Sequence, residues 1–355
     1  MKAPRFGVNR RDMMRLRRVG SSIARRPSRV PESAAATDLL RVHRPGMGSS
    51  FEVRVGARLP WGVELASRAL DEVEALERQL TIYNDESEVA RLNRSAHLGP
   101  VEVERGLFDL LELARAISQW SGGAYDVTSG ALSLAWGFVK GPKRVPSAEE
   151  RADAMSRTGW SKLRLDPAAR SVRFDVAGMV VNFGSIGKGY AIDRAVDVIR
   201  GCPLPTSALV HGGRSSLYAL GSPPGRFADR WEIALRNPFD ESAPLGIFRI
   251  RNRGLGTSGG AFQNFVIDGE SYGHIIDPRR GEPAAGPASV TVLAPTAAEA
   301  DALSTALYVL GPAAAAELVA RRPDVGVVFV EEGPPGRGPR VVAMGLGPGD
   351  FATQS

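Results

Sequence analysis

Apolar residues recur at every third or fourth position in five segments of this 355-residue chain. In the first segment, Leu65, Ala69, Val73, Leu76 and Leu80 form one apolar stripe, while glutamate and arginine occupy the opposite face. This spacing is typical of a helix that packs one face against a core. The predicted helices cover residues 62–80, 104–119, 187–200, 297–309 and 313–321.

Shorter apolar or alternating segments lie between clusters of Gly, Pro, Asn and Asp. Such segments predict strands joined by tight turns, as in antiparallel meanders. Because helices and hairpins occupy separate stretches of the chain, the pattern favours an α+β fold with largely antiparallel sheets and flanking helices. The predicted strands cover residues 49–55, 162–165, 171–175, 179–183, 207–211, 215–220, 231–236, 246–250, 263–267, 271–276, 289–294, 325–331 and 340–344.

The positive charge of the chain is concentrated in its first 45 residues. They hold 12 Lys and Arg against 3 Asp and Glu, a local net charge of +9 compared with +6 for the whole chain. The remainder is therefore mildly acidic, which argues against nucleic acid as a partner. We expect residues 1–44 to be a basic arm or a degenerate export signal, residues 45–345 to form the folded domain, and residues 346–355 to be a tail.

The sequence limits the possible cellular locations of the protein but does not identify one. The single cysteine, Cys202, excludes an intrachain disulfide and a cysteine-based metal centre. Residues 9–12 (NRRD) resemble a twin-arginine signal, but arginines continue where an apolar stretch should follow. A degenerate signal, a wrong start codon and a basic arm all stay open. No uninterrupted apolar run approaches the roughly 18 residues of a membrane-spanning helix, so we expect no transmembrane segment.

Asp301 and Thr305 are four residues apart in a predicted helix. Residues at that spacing lie on the same helix face, so a carboxylate and a hydroxyl can approach one point. Both are hard oxygen ligands, which suit magnesium better than zinc or copper. Such a pair alone is more often a cap or a solvated surface pair, but its neighbours here are apolar. Ser304 is a further candidate ligand.

Residues 182–190 (NFGSIGKGY) place three glycines around Lys188, between an apolar segment and a predicted helix. Glycines let a backbone approach a phosphate closely, a helix N-terminus offers amide donors, and lysine supplies charge. The spacing matches neither a Walker A nor a Rossmann motif. A tight turn between a strand and a helix is the structural alternative for this segment.

Two further segments carry candidate residues. Residues 274–278 (HIIDP) place a histidine next to an Asp-Pro turn, although a lone histidine in a strand is more often structural. Residues 121–128 (SGGAYDVT) and 136–138 (WGF) interleave aromatic residues with glycines. Such a segment can form a wall for a planar ring, or it can pack in the core.

Taken in order, these segments resemble the ApbE family of FAD:protein FMN transferases. Each piece alone is weak, but the collinear set, over about residues 45–312, is specific. The matching segments are residues 47–49, 82–93, 122–128, 136–138, 182–193, 212–213, 257–259, 274–281 and 301–305.

The resemblance implies a two-lobed, T-fold-like core that binds FAD in a cleft between the lobes. It implies a magnesium site made by Asp301, Thr305 and the backbone oxygen of Ser185, with Ser304 beside them. It also implies which positions line the flavin and the rest of the dinucleotide. Met47, Tyr83, Ala124, Tyr125 and Asp126 match positions that line the flavin and its attached groups, and Asn182, Lys188 and Ile275 match positions around the rest of the dinucleotide.

The reaction follows from the same resemblance. Magnesium and Lys188 would draw charge from the pyrophosphate, so that AMP can leave. A Ser or Thr hydroxyl of an acceptor redox protein would attack the FMN phosphorus, and His274 or Asp277 would accept its proton. Hydrolysis of FAD to FMN and AMP and non-enzymatic flavin binding are the alternatives.

The chain departs from the family pattern in three respects. Many members have Asp where this chain has Asn182, which removes a charge from the cleft, and many have Phe where it has Tyr125. Members are usually exported lipoproteins, whereas this chain has no cysteine near its N-terminus. By resemblance we expect the cell-envelope side, with a cytoplasmic location as the alternative.

Overall fold

A central antiparallel sheet of eight strands organises the protein. The computed structural model describes residues 39–354, except residues 205, 226–228, 261–263 and 335. The helices are α1 Gly62–Leu80, α2 Glu88–Ser95, α3 Arg105–Trp120, α4 Gly130–Ala135, α5 Ala148–Ser156, α6 Gly187–Arg200 and α7 Ala297–Ala320. The strands are β1 Leu39–Gly46, β2 Ser49–Gly56, β3 Val101–Glu102, β4 Leu163–Asp166, β5 Ser171–Phe174, β6 Ala208–Gly212, β7 Ser216–Leu220, β8 Trp231–Leu235, β9 Gly246–Ile250, β10 Arg253–Ser258, β11 Asn264–Ile267, β12 Glu270–Gly273, β13 Ile276–Asp277, β14 Glu282–Pro283, β15 Ser289–Ala294, β16 Gly326–Glu331, β17 Arg340–Met344 and β18 Phe351–Thr353.

The strand order of the large sheet is β1-β2-β6-β7-β10-β15-β16-β17, and each neighbouring pair is antiparallel. On one face, α1 and α6 pack through an apolar cluster that includes Phe51, Leu70 and Ile192. On the other face, the small sheet β18-β9-β8 packs through Phe248 and Leu255. The predicted α+β class with antiparallel sheets and flanking helices is confirmed.

A further apolar cluster extends from α7 to α3 and the small sheet β3-β5-β4. Leu111 of α3, Leu303 of α7 and Val172 of β5 are all completely buried in it. This cluster continues to Tyr125 and Phe183, which belong to segments proposed above for the site. The same core therefore supports both the helix that carries Asp301 and the loops that face it.

The sequence predicts two helices, over residues 297–309 and 313–321, where the structure has the single helix α7 with a kink between its two halves. Gly311 has φ 73° and interrupts the helical backbone just before Pro312. Among the described residues, α7 is also the one helix long and apolar enough, by length and composition, to cross a membrane. Its first half is buried against β10, β15 and α6, so it is a core helix of this fold.

Strand β10 is not predicted by the sequence, although it lies in the middle of the large sheet. Gly254 and Gly256 lower its strand propensity. A Cβ atom at Gly254 would lie 2.4 Å from the backbone nitrogen of Ala297, and one at Gly256 would lie 2.4 Å from the carbonyl carbon of Ala300. The two glycines therefore allow α7 to approach the sheet closely, a requirement that only the tertiary structure reveals.

The strand predicted over residues 179–183 is wrong. The segment makes one isolated bridge, between Val180 and Ser129, and its other backbone groups bond elsewhere. The amide of Val181 donates to Asn93 Oδ1 at 2.8 Å, and its carbonyl accepts from Asn93 Nδ2 at 2.9 Å. The side chain of Asn93 thus makes the hydrogen bonds that a neighbouring strand would otherwise make.

The short helices α2, α4 and α5 are not predicted by the sequence. They have 8, 6 and 9 residues, which is too short for their apolar periodicity to be recognised.

The ordered chain extends beyond both predicted boundaries of the folded domain. Strand β1 pairs with β2 from Leu39 to Gly46, and β18 pairs with β9 from Phe351 to Thr353. The boundaries at residues 45 and 345 are therefore too narrow. β1 is an edge strand whose exposed face carries charge, which weakens its apolar pattern. Of the arm predicted for residues 1–44, residues 1–38 lie outside the described residues.

Candidate active site

A cavity of about 1040 Å³ opens at one end of the large sheet. The turns β1–β2 and β6–β7 and the ends of β10 and β15 contribute to its wall. The loop before α6, the first turns of α7, residues 124–126 and Ser129 close it on the helical side. Of the residues predicted for the site, all except Asp277 line this cavity.

Asp301 carries the most buried carboxylate of the cavity wall, with 6% of its surface exposed. Its Oδ2 accepts a hydrogen bond of 2.8 Å from the amide of Gly189 in the first turn of α6. Burial raises the pKa of Asp301 to about 6, while Lys188, Ser216 and the Gly189 amide oppose this rise. A cation next to this carboxylate would offset the cost of burying its charge.

The hydroxyl groups beside Asp301 are connected through Ser258 at the end of β10. Ser258 Oγ lies 2.8 Å from Ser304 Oγ and 3.2 Å from Thr305 Oγ1. Ser304 also donates to the carbonyl of Asp301 at 2.8 Å and is almost completely buried. Thr305 is partly exposed, so its hydroxyl is better placed than that of Ser304 for a ligand in the cavity.

The glycine-containing loop reaches the cavity just before α6. Asn182 donates its amide to the carbonyl of Val127 at 2.8 Å and accepts from Gly184 at 3.0 Å. These two bonds fix the loop against the segment that carries Asp126. Ser185 and Lys188 then face the cavity together with Asp301.

The predicted flavin-lining residues form a second group on the cavity wall. Met47 occupies the β1–β2 turn with φ 49°, and its amide donates to Glu77 Oε1 at 2.7 Å. Tyr83 is 64% exposed at the cavity, with Lys140 Nζ 6.0 Å from its ring centroid. An exposed aromatic ring is available to stack on a planar ligand.

Ala124, Tyr125 and Asp126 follow α3 and are held by a tight turn. The amide of Tyr125 donates to Ser121 Oγ at 3.2 Å, and Asp126 Oδ1 accepts from Thr128 at 2.8 Å. Burial raises the pKa of Asp126 to about 6, against the effect of Thr128. Burial also raises the pKa of Tyr125, so its phenol keeps its proton at neutral pH.

The structure separates the two residues predicted to accept a proton. His274 and Ile275 line the cavity, whereas Asp277 does not. The carboxylate of Asp277 accepts from Arg279 Nε at 2.9 Å and Nη2 at 2.8 Å, and its Oδ1 also accepts from the Arg279 amide. Asp277 therefore stabilises the turn after β13, and His274 is the better-placed candidate base.

The residues around Asp301 suit a hard cation that is bound partly by the protein and partly by the phosphates of a substrate. The donors are one carboxylate, hydroxyl groups and the backbone of the glycine-containing loop, which are the oxygen ligands that magnesium prefers. Over the part of the chain that the structure describes, no group of three or more His, Cys, Asp or Glu is placed to hold a metal ion. Magnesium commonly binds through one or two carboxylates together with substrate phosphates.

Ser258, Ser216 and Asp193 are not among the residues predicted for the site. Ser258 lies in a segment that matches the family, but nothing in its local sequence indicates contact with Thr305. Asp193 accepts from the amides of Ala297 and Ala298, both at 2.8 Å. These contacts join residues far apart in the chain, so spacing alone cannot reveal them.

Known proteins similar to this chain identify its family. A model of the ApbE family matches residues 47–329. This chain belongs to the ApbE family. A relative from Klebsiella pneumoniae (strain 342), an FAD:protein FMN transferase, is 31% identical over 314 residues, 86% of this chain and 87% of its own. One from Treponema pallidum, with the same name, is 32% identical over 301 residues, 80% and 82% of the two chains.

Solved structures share the architecture. The ApbE protein of Thermotoga maritima superposes with a TM-score of 0.78 at 28% identity, covering 86% of this chain and 96% of its own. The flavinyl transferase ApbE of Pseudomonas stutzeri, in its apo form, gives 0.74 at 30% identity, with coverages of 86% and 94%. The predicted ApbE membership and enzyme class, a transferase, are confirmed.

Proposed function

We propose that this ApbE-family chain transfers the FMN part of FAD to a Ser or Thr hydroxyl of an acceptor protein, with Mg²⁺, and releases AMP. The observation that carries the proposal is the buried Asp301 carboxylate beside Lys188 and the glycine-containing loop. The carboxylate of Asp301 suits a bound cation, and the ammonium group of Lys188 suits the pyrophosphate that this cation accompanies. The exposed ring of Tyr83 and the Met47 turn suit the flavin end of the same ligand.

The transfer is a displacement at the FMN phosphorus. The acceptor oxygen forms a bond to that phosphorus, the bond to the bridging oxygen breaks, and this oxygen leaves with AMP. Bound magnesium would supply charge neutralisation at the phosphates, held by Asp301, Thr305 and the Ser185 backbone. Lys188 adds a positive charge at the start of α6, and His274 accepts the proton that the acceptor hydroxyl loses.

The proposed acceptor is a redox protein with a short Ser- or Thr-containing motif, as the resemblance suggests. Hydrolysis of FAD to FMN and AMP would use the same residues, with water in place of the acceptor hydroxyl. Flavin binding without chemistry would need neither Asp301 nor Thr305 at the cavity. Product analysis separates the three activities.

The full chain should therefore be incubated with FAD and an acceptor domain, with and without Mg²⁺. Covalent flavin on the denatured acceptor, with an equal amount of AMP, is the expected result, and only with Mg²⁺. AMP and free FMN without labelled acceptor would indicate the hydrolase, and bound FAD without AMP would indicate a flavin carrier.

The variant Asp301→Ala tests the assignment of the cation site. We expect labelling of the acceptor to fall at least about 100-fold while measurable FAD binding is retained, because the charge that holds the cation is lost. The matched control is Asp109→Ala, which removes an exposed carboxylate of α3 that pairs only with Arg105 in the ion pairs described. Full activity of Asp301→Ala would contradict the assignment.

A further inference from the structure

The buried hydroxyl group of Tyr125 lies beside the Ser185 hydroxyl but makes no hydrogen bond of normal geometry with it. The side chain of Tyr125 is 1% exposed, and among the described residues no donor or acceptor meets its Oη with normal hydrogen-bond geometry. Four other buried side-chain atoms of the described residues lack such a hydrogen bond, in His97, Trp120, Trp160 and Glu331, although Glu331 forms an ion pair with Arg340. None of those four residues lines the active-site cavity, whereas Tyr125 does.

An unsatisfied hydroxyl at this position destabilises the free protein. A buried polar group that loses its water without gaining a partner bears the full cost of desolvation. The aromatic ring alone would fill the core cluster that Tyr125 shares with Phe183 and Leu303. The hydroxyl is therefore not explained by packing, and its partner is to be sought in the cavity.

The surroundings of the hydroxyl indicate the kind of partner it fits. Tyr125 lies beside the Ser185 hydroxyl and within electrostatic reach of the Asp126 and Asp301 carboxylates. Ser185 and Asp301 line the same cavity and belong to the proposed cation site, so a ligand phosphate held there would lie close to the hydroxyl of Tyr125. A neutral phenol in such a place is a hydrogen-bond donor that adds no further negative charge.

We propose that Tyr125 Oη donates a hydrogen bond to a phosphate oxygen of the dinucleotide bound in this cavity. The inference rests on the proposed function, because FAD is the ligand that brings the phosphates. Tyr125 is then a positioning residue: it holds the pyrophosphate next to Asp301 and Lys188. The free protein tolerates the unsatisfied hydroxyl, and the ligand satisfies it.

The variant Tyr125→Phe removes this oxygen atom and preserves the ring. Two effects of opposite direction are expected. The melting temperature of the ligand-free protein should rise by about 2 °C, because an unsatisfied group is removed. The dissociation constant of FAD, measured with Mg²⁺ and without acceptor by quenching of flavin fluorescence, should rise about tenfold.

Riboflavin is the matched ligand, because it has the flavin ring and no phosphate. Its affinity should be the same for the wild type and for Tyr125→Phe. The matched variant is Tyr218→Phe, since Tyr218 is also buried but its hydroxyl accepts a hydrogen bond of 2.7 Å from Arg200. That variant should have a lower melting temperature and unchanged affinity for FAD.

Three results for Tyr125→Phe would overturn the inference. Unchanged FAD affinity in Tyr125→Phe would mean that the hydroxyl meets no phosphate. An equal loss for FAD and riboflavin would make Tyr125 part of the flavin wall only. A lower melting temperature of the free variant would mean that the hydroxyl is already satisfied. Two results for the wild-type protein separate the inference from the proposed function. If the wild type binds FAD more tightly than Tyr125→Phe does but labels no acceptor, the proposed transfer is refuted and the inference stands. If the wild type does not bind FAD, both are refuted.

Discussion

Gly189 serves both the packing and the orientation of the site. A Cβ atom at this position would lie 2.1 Å from the carbonyl oxygen of Ala297, which is far inside a normal contact. The amide of the same residue donates to Asp301 Oδ2 at 2.8 Å. The absence of a side chain thus lets α6 approach α7 closely enough for its backbone to orient the carboxylate.

Gly189→Ala is expected to separate the two helices. The free energy of unfolding should fall by about 1–3 kcal/mol, because the added methyl group meets backbone that cannot give way easily. Flavin transfer should fall with it, since the bond to Asp301 lengthens. Urea unfolding and acceptor labelling measure the two effects.

Gly201→Ala is the control for this variant. Gly201 follows α6 as its C-terminal cap with φ −67°, and a Cβ atom there would be no closer than 3.4 Å to its neighbours. Alanine at Gly201 should leave activity unchanged and stability equal or higher by up to about 1 kcal/mol. If Gly189→Ala behaved in the same way as Gly201→Ala, the close packing of α6 and α7 would not be the reason for a glycine at position 189.

At the scale of elements, the start of α7 is held by another helix. Thr296 Oγ1 accepts from the amide of Glu299 at 3.1 Å, which is a local cap. Asp193 of α6 accepts from the amides of Ala297 and Ala298, both at 2.8 Å. Amides in the first turn of a helix have no partner within the helix, and an acidic side chain is favoured there. These contacts fix the turn that precedes Asp301.

Asp193→Ala should lower the free energy of unfolding by about 1–2 kcal/mol, the usual cost of losing a cap. Because α7 also carries Asp301 and Thr305, the rise in melting temperature that Mg²⁺ and FAD together produce should become smaller. Thermal unfolding with and without both ligands measures this. Asp197→Ala, an exposed change on the same helix, is the control. A full ligand-induced rise in Asp193→Ala would show that the cap does not position the site.

At the scale of the whole molecule, the stability in acid depends on an interaction across the large sheet. Glu52 of β2 lies 3.2 Å from His211 Nε2 of β6 and also contacts Arg54. The hydrogen bond from His211, supported by Arg54, lowers the pKa of Glu52 from 4.5 to about 2, against the effect of burial. A carboxyl with a lowered pKa stabilises the fold when ionised, so this contribution is present above pH 4.5 and is lost as the pH falls towards 2.

We therefore expect Glu52→Gln to be less stable than the wild type above pH 4.5, by about 1–2 kcal/mol after allowance for solvent screening. This difference should shrink as the pH is lowered from 4.5 to 2. Urea unfolding at several pH values measures it. The buried Asp126, Asp193 and Asp301 are common to both proteins and cancel in the difference. A difference that stayed constant with pH would contradict the assignment of the lowered pKa to Glu52.

Elements with a local pattern can be predicted from the amino-acid sequence alone. The predicted helix over residues 62–80 agrees with Gly62–Leu80, because its apolar stripe repeats over five turns. The pair Asp301 and Thr305 is equally local, since four residues of helix place both on one face. The order of the segments was sufficient to recognise the ApbE family, because the collinear set of motifs is specific even where each motif is weak.

Features that join distant parts of the chain become visible only in the folded protein. β10 is a strand because its neighbours β7 and β15 pair with it and its glycines admit α7, although glycine disfavours strands. Asp277 and His274 are three residues apart, yet Arg279 keeps Asp277 out of the cavity. The unsatisfied hydroxyl of Tyr125 is visible only once the core has formed around it. Local periodicity contains no information about such contacts, because their energies depend on which distant groups the fold brings together.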